Sequence, residues 1–159
     1  MLVPESCAGG FIFDGACIEL LYSRGTGEAY RNAVRLCAAR NATLVEIASD
    51  RMFDVILNYV NSTWGAYANG IHVEWVNVWL GMTYDISAFP ARSLNLQSGG
   101  QVTSQRWYPS YPRPESIRTN VMMHVGYFPH RSSGIFNYRP LYTGGVPLCT
   151  YRLRENYHF

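Results

Sequence analysis

The sequence predicts one α+β domain, in which two helices near the front of the chain precede strands and loops. The length of 159 residues suits a single domain and is short for two. Hydrophobic residues make up 48% of the chain and charged residues 15%, so there is enough apolar material for a core. Apolar residues recur at helical spacing in two segments before residue 61, and helix signals are absent from Thr83 onward.

The first predicted elements are a turn, a strand, a helix and a second strand. Phe11 to Tyr22 is apolar and carries Asp14-Gly15 near its start, which is typical of a turn leading into a strand. A helix is predicted over residues 28–40, with an acid in its first turn and a base in its last, as the helix dipole favours. A short strand is predicted over residues 43–47. The apolar face of the helix consists of Tyr30, Ala33, Val34, Cys37 and Ala38.

The second predicted helix begins at Ser49 or Asp50, either of which can cap it. We expect a loop over residues 64–70, a central strand over residues 76–82 and a hairpin turn at residues 98–100. Five prolines between residues 109 and 140 indicate loops, and residues 146–153 predict the final strand. The inner face of the second helix consists of Met52, Val55, Ile56, Tyr59 and Val60.

Cysteine and sequon positions favour an extracellular location, either secreted or in the ectodomain of a cell-surface protein. Cysteines 7, 17, 37 and 149 suit two disulfides, for which three pairings exist, and they lack the Cys-x2-4-Cys spacing of zinc sites. Asn41 and Asn61 each begin an Asn-x-Thr sequon and are candidate glycosylation sites. Because residues 1–10 do not resemble a signal peptide, we expect a removed leader or a segment of a larger ectodomain. The alternative is a cytosolic protein with free buried thiols.

Several function classes are not supported by the sequence. A net charge of +2 is too small for a general nucleic-acid binder, and the chain has no run of 18 apolar residues that would insert into a membrane. It contains no Gly-x-Ser-x-Gly elbow and no glycine-rich phosphate loop, and its four histidines match no common zinc motif. We therefore expect neither an enzyme nor a cofactor or metal.

Positive charge is concentrated in one part of the chain. Residues 92–139 contain six Arg and one Glu, and all 13 basic residues of the chain are Arg. Guanidinium groups suit sulfate, phosphate and carboxylate, and Tyr and Arg are favoured at interfaces. The alternative is that the arginines are solvated and that aromatics such as Trp107 and Phe136 belong to the core. The candidate ligand-binding residues are Arg106, Tyr108, Tyr111, Arg113, Arg118, Tyr127 and Arg131.

An ordered set of short motifs resembles a known family. The first helix has Tyr30, Ala33 and Cys37; the central strand reads Trp79-Leu80-Gly81-Met82; Ser98-Gly99 precedes Trp107; Gly134-Ile135-Phe136-Asn137-Tyr138 follows, and Cys149 lies in the last strand. This order resembles the C-type lectin-like domain over roughly residues 7–152. The resemblance implies a single domain over residues 1–159, with two helices packed on antiparallel strands, a long loop region and a tail or linker at residues 153–159.

The resemblance also implies specific pairings and a test for calcium. It pairs Cys37 with Cys149, and Cys7 with Cys17 across an N-terminal hairpin. Sugar-binding members hold Ca²⁺ through Glu-Pro-Asn or Gln-Pro-Asp and a later Asn-Asp. This chain has Tyr111-Pro112-Arg113 at the first place and Asn137-Tyr138 at the second. Because Ca²⁺ needs six to eight oxygen ligands, we expect no calcium at this site.

A disulfide that many family members have in the long loop region is absent. The positions that match it hold Met122 and Leu141. One hypothesis is that an apolar contact between the two side chains replaces the bridge. The alternative is that they are unrelated residues of the core or of a loop.

We expect an extracellular recognition module that binds a protein or an acidic glycan without calcium through the long loop region. One alternative is a lectin with a non-standard sugar site made of aromatics and arginines. Another is a structural or adhesion subunit of an extracellular assembly, which would self-associate.

Overall fold

Two helices and eight strands form the part of the chain that the computed structural model describes, which is residues 7–21, 27–67, 75–85, 87, 94–97, 99, 102, 106–126 and 132–153. This content confirms the predicted α+β class. The elements in chain order are β1 (Phe11–Phe13), β2 (Ala16–Leu20), α1 (Tyr30–Ala38), β3 (Thr43–Leu44), α2 (Asp50–Tyr67), β4 (Trp75–Tyr84), β5 (Leu94–Asn95), β6 (Asn120–Gly126), β7 (Gly134–Tyr138) and β8 (Gly145–Arg152).

The predicted turn at Asp14-Gly15 joins β1 to β2 in a hairpin. Both residues have positive φ angles, 47° and 78°, which is the two-residue turn that matches the twist of paired strands. Cys7 is bonded to Cys17 of β2, and Cys37 of α1 is bonded to Cys149 of β8. Both predicted pairings are therefore confirmed. The second bridge lies in the core, since both of its cysteines are buried.

Both helices form where the apolar spacing predicts them, with changes at their ends. α1 is two residues shorter at each end than predicted, and it buries Ala33 and Cys37 while Val34 is 40% exposed. The Oγ of Ser49 accepts a hydrogen bond from the Met52 amide at 3.2 Å, so Ser49 is the cap of α2. The predicted loop over residues 64–70 is wrong at residues 64–67, because α2 continues to Tyr67.

The sheet has the strand order β1-β2-β8-β4-β6-β7, with β3 paired to β8 and β5 paired to β4. Neighbouring strands are antiparallel except β4 and β8, which run parallel with Asn77 opposite Gly145. The expected antiparallel pairing holds for the other strand pairs, and β4–β8 is the exception. The sheet is mixed.

Two strands, β6 and β7, lie between residues 109 and 140, where the five prolines predict only loops. β6 and β7 pair with each other, and β6 also pairs with β4 in the centre of the sheet.

Met122 of β6 is fully buried, whereas Leu141 is 84% exposed, so the hypothesis of an apolar contact between them is wrong. The predicted hairpin at residues 98–100 lies partly outside the described residues. The Gly99 amide donates to the carbonyl of Leu96 at 3.1 Å, and β5 pairs with β4.

Strand β4 divides the core into two sides because its side chains alternate between the faces of the sheet. Val76, Val78 and Leu80 join the cluster that contains the buried face of α2. Trp79 joins the smaller cluster that contains Ala33 of α1, and its indole donates to the carbonyl of Glu28 at 2.6 Å. Neither α1 nor α2, the helices of the described residues, has the length and hydropathy that a membrane span requires.

Candidate ligand-binding site

A pocket of about 210 Å³ lies on the face of β4, β6 and β7 that is opposite the α2 side of the core. Its lining is almost entirely aromatic, with one carboxamide and one imidazole. We call it the aromatic pocket. The lining residues are Trp75, Asn77, Tyr108, Tyr111, His124, Phe136, Tyr138 and Tyr142.

Strand register brings the polar pair of this pocket together. Asn77 of β4 lies opposite His124 of β6, and the Asn77 Oδ1 is 2.8 Å from the His124 Nδ1. The imidazole also contacts the ring of Tyr108, with centroids 4.9 Å apart, and the ring of Trp75, with centroids 5.5 Å apart. These contacts fix the imidazole within the aromatic wall.

The segment that carries Tyr108 and Tyr111 is attached to β7 by backbone hydrogen bonds. The Tyr108 amide donates to the carbonyl of Ile135 at 2.7 Å, and the Ile135 amide donates to the carbonyl of Arg106 at 2.8 Å. The close approach requires glycine at position 134, because a Cβ there would lie 2.5 Å from the Tyr108 nitrogen. Gly134 therefore allows this wall of the pocket to lie against the sheet.

Asn137 holds the next part of the loop. It is fully buried, and its Oδ1 accepts a hydrogen bond from the Arg113 amide at 2.8 Å. Its Nδ2 donates to the carbonyls of Arg113 and Arg118 at 2.8 and 3.1 Å. The carboxamide thus uses both donor hydrogens and its oxygen on the loop backbone, so Asn137 is a structural clamp.

Three arginines stack on tyrosines that line the pocket. The guanidinium carbon of Arg113 is 4.5 Å from the ring centroid of Tyr111, and that of Arg118 is 4.8 Å from the ring centroid of Tyr138. Arg139 also contacts Tyr138, at 5.7 Å. Cation–π contacts of this kind hold the positive groups beside the pocket.

One acid lies within this arginine group. The Nε of Arg118 is 3.1 Å from a carboxylate oxygen of Glu115, and its Nη1 donates to the carbonyl of Asn137 at 3.5 Å. Only 16% of the Arg118 side chain is exposed, whereas Glu115 is half exposed. One carboxylate against three guanidiniums leaves the surroundings of the pocket positive.

The residues at the place of the family's calcium site do not fit a calcium ion. The amide oxygen of Asn137 already accepts from the Arg113 amide, and Tyr138 supplies no carboxylate. The Arg118 guanidinium lies against the backbone of Asn137 and would repel a cation. No group of three or more His, Cys, Asp or Glu that could hold a metal occurs in the described ranges. This set of donors offers too few oxygens for Ca²⁺.

The structure brings four of the seven candidate ligand-binding residues together. Tyr108 and Tyr111 line the pocket, and Arg113 and Arg118 stack beside it. Tyr127 and Arg131 lie outside the described residues. Both candidate glycosylation residues, Asn41 and Asn61, are exposed.

Arg106 is engaged elsewhere. Its guanidinium pairs with Asp54 and, at 3.0 Å, with Asp50 of α2, and it stacks on Phe53. The hydrogen bond to Asp54 raises the pKa of Arg106. The structure therefore places this arginine with α2 and not with the aromatic pocket.

Six lining residues were not among the sequence candidates, namely Trp75, Asn77, His124, Phe136, Tyr138 and Tyr142. The alternation Trp75-x-Asn77-x-Trp79 along β4 is a signal that places all three on one face. His124 of β6, which completes the pocket, is 47 residues from Asn77 in the sequence. The prolines around β6 favour a loop there and hide this strand partner.

A second, wider groove of about 540 Å³ adjoins the pocket and shares Tyr142 with it. Two exposed apolar side chains, Ile117 and Leu141, and the base Arg139 lie along it. We define the long-loop face as the surface of residues 107–119 and 138–143. It contains the groove and the rim of the aromatic pocket.

Structural comparison shows the fold. The chain superposes on the C-type lectin domain of murine dendritic cell inhibitory receptor 2, solved in complex with N-glycan, with a TM-score of 0.65 at 14% identity over 91% of this chain and 97% of that one. Human lithostathine gives a TM-score of 0.63 at 14% identity over 96% of both chains. A calcium-independent type II antifreeze protein gives 0.57 at 15% identity, covering 92% of this chain and 94% of that one. The predicted C-type lectin-like fold is confirmed.

Sequence comparison gives the family. None of the curated proteins compared with the chain matches it. The family model of the chordopoxvirus A33R protein matches residues 2–96, which is more than half of the chain and runs from the N-terminal hairpin through β5. The chain therefore belongs to the chordopoxvirus A33R protein family and has the C-type lectin-like fold.

Proposed function

We propose that the chain is an extracellular recognition module that binds a protein or acidic glycan ligand, without calcium, through its long-loop face. The observation that carries this proposal is the aromatic pocket with Arg113 stacked on its wall. Aromatic walls with a few fixed polar groups are typical of binding sites, and guanidinium groups at the rim favour an anionic partner.

Binding, and not catalysis, fits the chemistry of this face. All four cysteines are bridged, and no serine, threonine or cysteine is among the described residues that line the pocket with the Asn77–His124 pair. Tyr and Arg side chains with large contact areas are the residues that dominate interface energetics. The face therefore supplies contact surface and charge.

Independence from calcium is supported by the way the loop is fixed. In this chain Asn137 holds residues 113–118 by three hydrogen bonds, and Arg118 supplies a permanent positive charge beside them. One protein of the same fold is itself described as calcium-independent, so the fold does not require the ion.

The extracellular location is supported by the two disulfides. Bridges of this kind persist in oxidising compartments, and one of them joins α1 to β8 within the buried core. The exposed sequon residues Asn41 and Asn61 are accessible for glycosylation in such a compartment.

The test is capture of ligands by the purified chain. We expect a fluorescent multimer of the chain to bind extracellular proteins, or cells that display acidic glycans, equally well with and without a chelator. Arg113→Glu reverses the charge on the pocket wall and should abolish most of this binding.

The matched control is Arg35→Glu, the same change of charge on the exposed surface of α1. It should leave binding intact. If Arg113→Glu binds as well as the unmodified chain, the long-loop face is not the binding surface. Binding that disappears on chelation would contradict calcium independence.

A further inference from the structure

The aromatic pocket has a size and a lining that restrict which ligands it can hold. Its volume is about 210 Å³. Pockets that hold drug-sized molecules are larger, with volumes of about 300–1,000 Å³. The pocket accordingly takes a single ring or side chain and not an extended segment.

The rings of the pocket are arranged as walls at steep angles to one another. Tyr108 and Tyr111 meet at 62°, Tyr111 and Phe136 at 64°, and Tyr138 and Tyr142 at 73°. Edge-to-face contacts of this kind orient the electron-rich ring faces in several directions. Such faces attract groups whose surface carries weakly positive C–H bonds, as one face of a pyranose ring does.

The polar groups favour a hydroxylated ring over a purely apolar side chain. Asn77 is 7% exposed and belongs to the pocket lining together with His124, to which it is hydrogen-bonded. Tyr108, Tyr111, Tyr138 and Tyr142 also line the pocket, and each carries a phenolic hydroxyl. Hydroxyls and a carboxamide both donate and accept, which suits the alternating hydroxyls of a sugar.

The positive charge around the pocket disfavours a cationic ligand. A cage of aromatic rings can bind a quaternary ammonium group, but Arg113, Arg118 and Arg139 already stack on two of these tyrosines. A second cation would be repelled by these guanidiniums. An anionic substituent on the ring would instead meet a planar fork of donors.

We infer that the aromatic pocket binds one pyranose ring that carries a carboxylate or a sulfate, with the apolar face of the ring against the tyrosines and its anionic group toward Arg113. The inference rests on the proposed function. It narrows the ligand to an anionic sugar and places it in a defined pocket.

The experiment is a titration of the isotopically labelled chain, observed by amide and side-chain NMR shifts. The probes are the methyl glycosides of a sialic acid, a uronic acid, a sulfated hexose and a neutral hexose, together with inorganic sulfate and a sulfotyrosine peptide. We expect the acidic glycosides to shift the signals of Asn77, His124 and Tyr108, and to bind at least about tenfold more tightly than the neutral glycoside. Comparison of the carboxylated and sulfated sugars identifies which anion is preferred.

Two variants separate the ring contact from the charge contact. Arg113→Gln should remove the preference for acidic over neutral glycoside, and Trp75→Ala should weaken both, because Trp75 is a partly exposed wall at the start of β4. Arg35→Gln is the control and should change neither. Amide spectra of each variant show whether it is folded.

Three results would overturn the inference. Inorganic sulfate that binds as tightly as the acidic sugars would show simple attraction of anions, and tighter binding of the sulfotyrosine peptide would show a protein ligand. Shifts confined to residues outside the pocket would place the sugar elsewhere. In each case capture of an extracellular ligand that depends on Arg113 would still support the proposed function, whereas loss of that dependence would contradict both.

Discussion

Asn137 and Arg113 are hydrogen-bonded to each other in both directions. The Arg113 amide donates to the Asn137 Oδ1 at 2.8 Å, and the Asn137 Nδ2 donates to the Arg113 carbonyl at 2.8 Å. This reciprocal pair ties the loop to β7, and Tyr111, two residues before Arg113, belongs to the wall of the aromatic pocket. The consequences of this and other contacts can be measured.

Replacing Asn137 with Asp should destabilise the protein by about 2–4 kcal/mol. The change removes both Nδ2 donors, leaves the carbonyls of Arg113 and Arg118 without this partner, and places a carboxylate oxygen against them. Urea unfolding followed by circular dichroism gives the difference. Asn58→Asp, at an exposed position of α2, makes the same chemical change and should have little effect. Equal stability of the two variants would show that the clamp is not important.

Removing the Cys37–Cys149 bridge should destabilise the protein more than removing Cys7–Cys17. The bridged positions are separated by 112 and 10 residues, respectively. In the chain-entropy model these loops correspond to about 5 and about 3 kcal/mol of stability. Double Cys→Ala variants, compared by urea unfolding, test the order. A larger loss from the N-terminal pair would argue that native contacts, and not loop length, determine the effect.

Gly134→Ala should separate the segment at residues 106–111 from β7. The added Cβ would lie 2.5 Å from the Tyr108 nitrogen and 2.9 Å from the Trp107 carbonyl carbon. We expect a loss of about 1–3 kcal/mol and weaker ligand binding, because one wall of the aromatic pocket must move. Ser132→Ala, nearby and exposed, is the control. Unchanged amide shifts for Tyr108 in the Gly134 variant would contradict this prediction.

Tyr84→Phe should leave stability unchanged or raise it by about 1 kcal/mol at neutral pH. The Tyr84 side chain is buried in the core, and its hydroxyl has no hydrogen-bond partner among the residues that the structure describes. Fluorescence-monitored urea unfolding at pH 7 gives the value. A loss of more than about 1 kcal/mol would reveal a partner for this hydroxyl.

Tyr84 should also make stability fall at alkaline pH. Burial raises the pKa of Tyr84 above its ordinary value of 10.0, and Asp85 adds to the shift. Because the unfolded chain loses this proton first, stability is full below pH 10 and decreases as pH rises toward the folded-state pKa. Tyr84→Phe should reduce that decrease in unfolding curves recorded from pH 9 upward. Identical slopes for the two proteins would contradict the assignment.

Arg106→Gln should lower stability slightly and leave ligand binding unchanged. The arginine pairs with exposed carboxylates of α2, so its contribution is weakened by solvent and salt. Its raised pKa means that the charge is retained until strongly alkaline pH, so the pair gives no pH dependence near neutrality through the arginine. Thermal unfolding at low and high salt, together with ligand capture, tests both statements. Loss of ligand binding would place Arg106 in the binding face after all.

The parts of the fold that the sequence predicts are those with a strong local pattern. α1 and α2 follow from apolar spacing, and the hairpin follows from Asp14-Gly15, whose positive φ angles require such residues. β6 is apolar, but prolines on both sides favour an assignment to loops. Its place beside β4 depends on pairing between residues about 47 positions apart, which periodicity does not encode.

Only part of the candidate site is predicted, because the rest depends on strand pairing as well. Tyr108, Tyr111, Arg113 and Arg118 lie close together in the sequence, and their composition identifies them. Asn77 and His124 become pocket residues only through the register of β4 on β6. Arg106 has the same composition signal, but its position beside Asp54 is set by the packing of α2.

The hydrogen bonds between Asn137 and Arg113 involve the main chain of Arg113 and not its guanidinium group. A substitution at position 113 can therefore leave the loop in place and still remove or reverse the charge next to Tyr111. One substitution at this position would thus alter the electrostatic potential of the long-loop face while the fold remains the same.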